Sequence, residues 1–211
     1  MDLMKGILDN MSSKKLKGQK LEQVLPYIMI VGGAIGLIAS LLLTHDKIKV
    51  LQNPGYNPLC NINPILSCGS VMKTEQASLF GMPNTIFGII AFTALISFGF
   101  IMASGAIFKR WLWQVAQVFA TVGVLFMHYL FFQGVFRINA ICPWCFVTWM
   151  VVIPIFWYVT LYNLRTGNIK IGNRDFNKFV QKNHGNILIG WYAIIFLILI
   201  TRFWYYWSTL L

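Results

Sequence analysis

Charge is what this 211-residue sequence has least of. Asp, Glu, Lys and Arg make up 11% of it, and only six residues are acidic. A water-soluble domain uses about twice that share of charged residues to cover its surface, so an ordinary soluble enzyme is excluded. Histidine is scarce as well, with His45, His128 and His184 the whole supply. No histidine cluster accompanies the cysteines, which argues against a zinc or copper centre of the common kinds. There is no internal repeat and no low-complexity tract. Cysteine occurs four times, at 60, 68, 142 and 145.

What fills the space is apolar: 57% of the residues are hydrophobic and the mean hydropathy is +0.66. Leu25–Leu43, Asn84–Phe108, Trp111–Phe136, Ile138–Leu164 and Ile187–Thr201 contain no Asp, Glu, Lys or Arg. About 20 apolar residues at 1.5 Å each cross the ~30 Å hydrocarbon layer. Four runs suffice or nearly so, and the fifth does once the aromatic stretch Phe203–Trp207 is added. The sequence therefore predicts an all-α membrane protein with five transmembrane helices. The first run is too long for the h-region of a secretory signal and lacks a small-x-small cleavage site, so it is expected to stay as a helix.

The net charge of +11 follows topology rather than a nucleic-acid site. With the N-terminus cytoplasmic, Lys5, Lys14, Lys15, Lys17, Lys20, Lys109, Arg110, Arg165, Lys170, Arg174, Lys178 and Lys182 lie inside, and Lys47, Lys49, Lys73, Arg137 and Arg202 outside. That is the positive-inside bias, with room for contact with anionic lipid. The expected organisation is a basic cytoplasmic arm (1–22), a four-helix bundle (23–164) that includes an outer loop (45–82), a basic cytoplasmic linker (165–185), and a fifth helix (186–211) ending outside.

The outer loop is long for a connection in a compact domain, which points to function. Its first half, punctuated by Pro54, Gly55, Pro58 and Pro64, is predicted to be an irregular strap carrying Cys60. Its second half carries Asn63 as a helix cap, Pro64 at the first helical position and a Gly81/Pro83 stop. Ile65, Cys68, Met72 and Leu79 fall near one face, so a short amphipathic half-helix over the outer end of the bundle is expected.

This topology puts all four cysteines on the extracytoplasmic side, where disulfides persist. Cys142 and Cys145 form CPWC at the start of a helix, neighbours at i and i+3. The helix N-terminus favours their thiolates while apolar surroundings oppose them, so the net sign stays open. Such a constellation suits a thiol–disulfide electron relay. Two bland alternatives stand beside it: a four-sulfur metal site, and a loop pair that is only a structural staple. A relay at a membrane needs an electron sink, and a lipid-soluble quinone is the natural one. Phe80, Phe87, Trp144, Phe146 and Trp149 gather near the outer ends of the second and fourth helices, each taken alone better suited to lipid belt or core than to ligand contact. Asn84, an amide at the start of a membrane helix, is either a cap or a donor to a ligand carbonyl.

The loop pair Cys60/Cys68, Thr74, the NTIFG stretch from Asn84, and CPWCFVTW together resemble the vitamin K epoxide reductase family in its bacterial branch. The resemblance is close from about Pro58 to Trp149. It implies a four-helix bundle around a quinone (menaquinone or ubiquinone, as co-substrate) with the half-helix as a lid. It also implies roles for individual residues. Cys60 would exchange with a thioredoxin-like partner, Cys68 would attack Cys142 through a transient bridge, and Cys145 would deliver electrons to the quinone. Asn84 would donate to a quinone oxygen, and Thr74 would support the chemistry from the lid. Trp149 stands where animal members carry a tyrosine donor. Phe80 and Phe87 would line the ring site, and no metal is expected. Many bacterial relatives continue into a fused thioredoxin-like domain, whereas this sequence stops at Leu211, so a separate extracytoplasmic partner is expected. Those features imply a bacterial cytoplasmic-membrane enzyme that forms disulfides and reduces quinone. The runner-up is thiol-driven reduction of a quinone or quinone epoxide, and a metal-binding membrane protein is the rival from another class. Disulfide oxidases that carry CxxC on their first outer loop have the opposite order.

Overall fold

The computed structural model describes residues 2–53, 55–79 and 81–209, with only the backbone course for 2–20. The helices in chain order are α1 (Asp2–Gln52), α2 (Cys68–Met72), α3 (Asn84–Ala103), α4 (Arg110–Phe132), α5 (Pro143–Thr166), α6 (Arg174–Lys182), α7 (His184–Arg202) and α8 (Trp204–Trp207). Among the described residues five helical stretches are long and apolar enough to cross a membrane: Leu21–Gln52, Asn84–Ala103, Arg110–Ile138, Pro143–Thr166 and His184–Arg202. The five expected spans are therefore present, and the described residues contain no strand.

Two expectations need correction at the outer face. Helix α1 does not end near Thr44 but continues to Gln52, because polar residues that terminate an apolar run are still good helix formers. The break comes only beyond Asn53, whose N–H still bonds Lys49 O at 2.9 Å. His45, Asp46, Lys47 and Lys49 thus stand on a helical post. The half-helix is in turn split into α2 and a 3₁₀ turn (Glu75–Ser78). Its cap is Ser67, whose Oγ accepts from Ser70 N at 3.1 Å. Asn63 instead closes a turn before it, accepting from Ile65 N at 3.0 Å and Leu66 N at 2.7 Å.

Helix α1 packs against α3 and α5, and α4 packs against α5. Small residues permit the closest approach, as in membrane helix pairs generally: a Cβ at Gly36 would run into the Phe92 ring. Leu25, Met29, Phe92, Trp113, Val151, Ile155 and Val159 form the core on the inner side. Below it, buried Asn163 donates to Trp113 O (3.2 Å) and Gln117 Oε1 (3.0 Å) and accepts from Asn168 Nδ2 (3.0 Å), so no amide group is left unmatched where α4 meets α5. At its outer end α4 loosens into a π-helical turn (Gln133–Ile138), closed by Asn139 in the left-handed region at φ 56°.

The fifth spanning helix, α7, lies against α4 and α5, where Ile195 and Leu199 join Val124, Phe131, Trp149 and Ile153 in a second core. Pro154 within α5 has no N–H, so the carbonyl four residues earlier lacks its helical donor. Tyr192 of α7 supplies one, its hydroxyl donating to Met150 O at 2.7 Å. Trp191 Nε1 donates to His128 Nε2 at 3.0 Å, which makes His128 Nδ1 the protonated nitrogen that donates to Val124 O at 2.8 Å. Arg202 reaches Asn139 Oδ1 at 2.6 Å. Tyr192→Phe removes the hydroxyl offered to that carbonyl and is expected to cost about 1–3 kcal/mol. A Tm in detergent that falls by several degrees checks this, and an unchanged Tm contradicts it.

Candidate functional site

The outer site is assembled by backbone hydrogen bonds between segments far apart in sequence. Ile141 N donates to Ile65 O at 2.7 Å and Ser67 N to Ile141 O at 3.0 Å, a single parallel bridge between Leu66 and Ile141. Cys68 lies two residues after Leu66 and Cys142 directly after Ile141, and the bridge brings their sulfurs to 3.2 Å across 74 residues of chain. Cys142 caps α5 from the N-cap position, with Pro143 in the first turn and Cys142 Sγ accepting from Cys145 N at 3.4 Å.

Cys60 and Cys68 form a disulfide, while Cys142 and Cys145 are free thiols. Asn61 fixes the strap to the lid. Its Oδ1 accepts from Gly69 N (2.8 Å) and Ser67 Oγ (3.0 Å), and its amide donates to Asn57 Oδ1. A Cβ at position 69 would meet the Asn61 amide at 2.8 Å, so glycine there allows the contact. Leu43 and Met72 enclose the sulfurs of Cys60, Cys68 and Cys142. Cys60, Cys68 and Cys142 are all buried, at 7%, 0% and 2% exposed, and Cys60 is the one flanked by a fully exposed residue, Leu59.

The Cys142 thiol lies below its ordinary range. Burial pushes it up, and the Asp46 charge acts in the same direction. Hydrogen bonds from the Cys145 side chain and from the N–H groups of Cys145 and Trp144 outweigh both. A lowered pKa leaves thiolate available as pH falls below the ordinary thiol value of about 8.5. Exchange between Cys142 and Cys68 is therefore expected to hold its rate below that pH and to fall only when Cys142 protonates. Quenched alkylation across pH 5–9 checks this, and a midpoint at or above the ordinary value contradicts it.

The remaining residues singled out by sequence are placed as follows. Asn84 Nδ2 donates to Gln76 O (2.6 Å) and its Oδ1 accepts from Leu79 N (3.2 Å), so its amide ties the 3₁₀ turn of the lid to the start of α3. Thr74 Oγ1 donates to Val71 O (2.7 Å) at the break between the two lid helices. Phe87 sits one turn below Asn84 on α3, 38% exposed. Phe80 lies outside the described residues.

Trp149 is one turn below Cys145 on α5 and only 5% exposed, yet its indole N–H has no hydrogen-bond partner among the described residues. It borders a small cavity of about 10 Å³ with Met127, His128, Phe131, Ile153 and Ile195. An orphaned buried donor among apolar and aromatic side chains fits a quinone carbonyl, and the cavity itself is smaller than a quinone ring. Among the described residues, no group of three or more His, Cys, Asp and Glu side chains is placed to hold a metal ion.

Sequence reasoning missed Asn61, Ile141 and Asp46. Asp46 Oδ2 lies 3.9 Å from Cys60 Sγ, a proximity that the helical extension of α1 creates and that spacing alone does not reveal.

A family model described as the vitamin K epoxide reductase family matches residues 27–160, which include all four cysteines. Well over half of the chain is matched, over the four helices and the cysteine cluster just described, so the chain belongs to the vitamin K epoxide reductase family of membrane oxidoreductases.

Proposed function

We propose that this protein oxidises a dithiol of an extracytoplasmic thioredoxin-like protein and passes the electrons inward through Cys60/Cys68 and Cys142/Cys145 to a membrane quinone, thereby supporting disulfide formation. Quinones are the co-substrates of the family. The observation that carries the proposal is the 3.2 Å contact between Cys68 and Cys142 sulfurs, since exchange requires one sulfur to approach another directly.

The thiol steps balance as follows. A partner thiol attacks Cys60 Sγ and gives up its proton, the Cys60–Cys68 bond breaks, and Cys68 leaves as a thiolate. The partner's second thiol resolves the mixed disulfide and releases Cys60. Cys68 then attacks Cys142 of an oxidised inner pair, forming Cys68–Cys142 and expelling Cys145. Finally Cys60 attacks Cys68, which restores the outer disulfide and frees Cys142. Two electrons and two protons have moved to the inner pair, and a bound quinone supplies the acceptor for them. A closed outer disulfide with an inner dithiol is the state this sequence leaves behind.

Trp149 would hold a quinone oxygen through its unpaired N–H, and Asn84 and Thr74 would keep the lid in place above it. Leu59 and Ile62, 97% and 67% exposed on either side of Cys60, support protein docking there. The orientation we favour keeps the N-terminus and basic linker in the cytoplasm and the cysteines outside a bacterial cytoplasmic membrane. Residues 23–164 are then the catalytic bundle and 186–211 a fifth helix.

Purified protein in lipid nanodiscs, given reduced thioredoxin-like protein and either menaquinone or ubiquinone, is expected to bleach quinone absorbance with stoichiometric oxidation of the dithiol. Absence of quinone loss with both quinones would refute the proposal. Trp149→Phe keeps the ring and removes the donor. It is expected to raise KM for quinone about tenfold, the worth of one neutral hydrogen bond to a buried group. An unchanged KM would take Trp149 out of the quinone site.

A further inference from the structure

The thiol steps above move protons as well as electrons, and the outer disulfide has an acid–base group beside it. Asp46 sits on the helical extension of α1 with its carboxylate only 14% exposed. Its Oδ2 is 3.9 Å from Cys60 Sγ, within reach of an S–H···O hydrogen bond once Cys60 is reduced. Its Oδ1 accepts the Tyr56 hydroxyl at 3.1 Å and lies 3.5 Å from His45 Nδ1. These contacts hold the carboxylate toward the sulfur rather than leaving it to sweep through solvent.

The charged and titratable neighbours are few. On α1 they are His45, Lys47, whose ammonium is engaged by Met72 O, and Lys49, which stacks over the Tyr56 ring at 5.4 Å. On the strap they are Tyr56 and Cys60. At the start of α5, the Cys142 thiol feels the Asp46 charge. Neither lysine makes an ion pair with Asp46 among the described contacts; the neighbour placed to pair with it is His45, which meets Oδ1 and leaves Oδ2 to the sulfur.

A carboxylate at this distance has two chemical consequences. It disfavours negative charge on Cys60, so Cys60 is the poorer leaving group of the outer disulfide, and attack at Cys60 expels Cys68 toward Cys142. It also stands where a proton must be taken up and given back.

Resting on the thiol-oxidation step proposed above, we infer that Asp46 is the proton relay of the outer disulfide. In the first step a partner thiol gives its proton to Asp46 as its sulfur bonds to Cys60 and Cys68 departs with the electron pair. In the second step the partner's other thiol attacks, the partner–Cys60 bond breaks, and the Cys60 sulfur takes the proton back from Asp46. The proton of that second thiol passes through solvent to Cys68. One dithiol has become a disulfide, one disulfide has become a dithiol, and Asp46 ends as it began.

The test opens the Cys60–Cys68 disulfide with dithiothreitol in the full chain carrying Cys142→Ala and Cys145→Ala, scored by quenched alkylation from pH 5.5 to 8.5. No quinone enters, so the outcome is separate from whether electrons end on one. Attack by thiolate alone gives a rate rising tenfold per pH unit well below the dithiol's pKa. With Asp46 as proton acceptor the slope is expected to be well under that. Asp46→Asn is expected to restore the tenfold-per-unit slope and to lower the rate at pH 6 by about tenfold. Tyr56→Phe, which keeps the carboxylate, and His45→Gln are expected to retain the shallow slope. A full slope with Asp46 present overturns the inference whether or not Asp46→Asn folds. So does an unchanged profile in Asp46→Asn, or a profile that follows Tyr56 or His45 instead.

Discussion

Replacing Cys145 with alanine is expected to abolish quinone reduction, by at least about 10³-fold, and to populate a Cys68–Cys142 disulfide. The start of α5 carries two neighbouring sulfurs, one turn apart along the helix. Cys142 touches Cys68 at 3.2 Å, while Cys145 lies one helical turn inward, above Trp149. Removing Cys145 leaves the contact intact but takes away the sulfur that hands electrons on. Cys142 can then attack Cys68 and release Cys60, and no second sulfur on α5 remains to resolve the bond. Alkylation at quench captures the freed Cys60. Peptide mapping is expected to find residues 68 and 142 linked together with alkylated Cys60. Finding only the 60–68 link, with turnover preserved, would remove Cys145 from the relay.

The Cys60→Ala variant separates the partner from the chemistry. Cys68 is fully buried at the start of α2 and Cys142 nearly so, whereas Cys60, 7% exposed, lies on the strap between exposed Leu59 and Ile62. A folded thioredoxin-like protein cannot bring its sulfur to Cys68 past the Asn61–Gly69 clamp. Oxidation of such a partner is therefore expected to fall about 10³-fold. A small dithiol needs only transient opening of the strap, which has no regular structure from Asn57 to the bridge at Leu66. Turnover with dithiothreitol is expected to stay within a few-fold of wild type. If both reductants lose activity equally, Cys60 belongs to the inner chemistry and the order of the relay is wrong.

How far these features are legible in the sequence depends on how local their causes are. The five spans follow from runs of uncharged residues. That CPWC opens a helix follows from Pro143, which suits a first turn, and the structure places Cys142 at the cap as that local chemistry requires. The half-helix was legible in outline but not in detail. Asn63 and Ser67 are both good cap residues, and the choice between them is made by Ile141, whose backbone pairs with residues 65 and 67 from the other side of the bundle. The same remote pairing produces the Cys68–Cys142 contact, which spacing cannot show. Asp46 was hidden for a related reason: a polar residue after an apolar run looks like the start of a loop, and only the continued helix places it beside Cys60. The role of the fifth helix is not legible in the sequence. Its contribution emerges from Pro154, whose orphaned carbonyl at Met150 is answered by Tyr192, and from His128, which Trp191 engages.

The most direct measurement is a rapid-quench experiment on quinone-oxidised wild-type protein mixed with one equivalent of reduced thioredoxin-like protein. Differential alkylation and peptide mapping then time each sulfur. The expected order is loss of the 60–68 link, then transient appearance of a 68–142 link together with free Cys145, and finally free Cys142 with the 60–68 link restored. Free Cys145 appearing before any 68–142 link, or with no such link at any time, would contradict the relay.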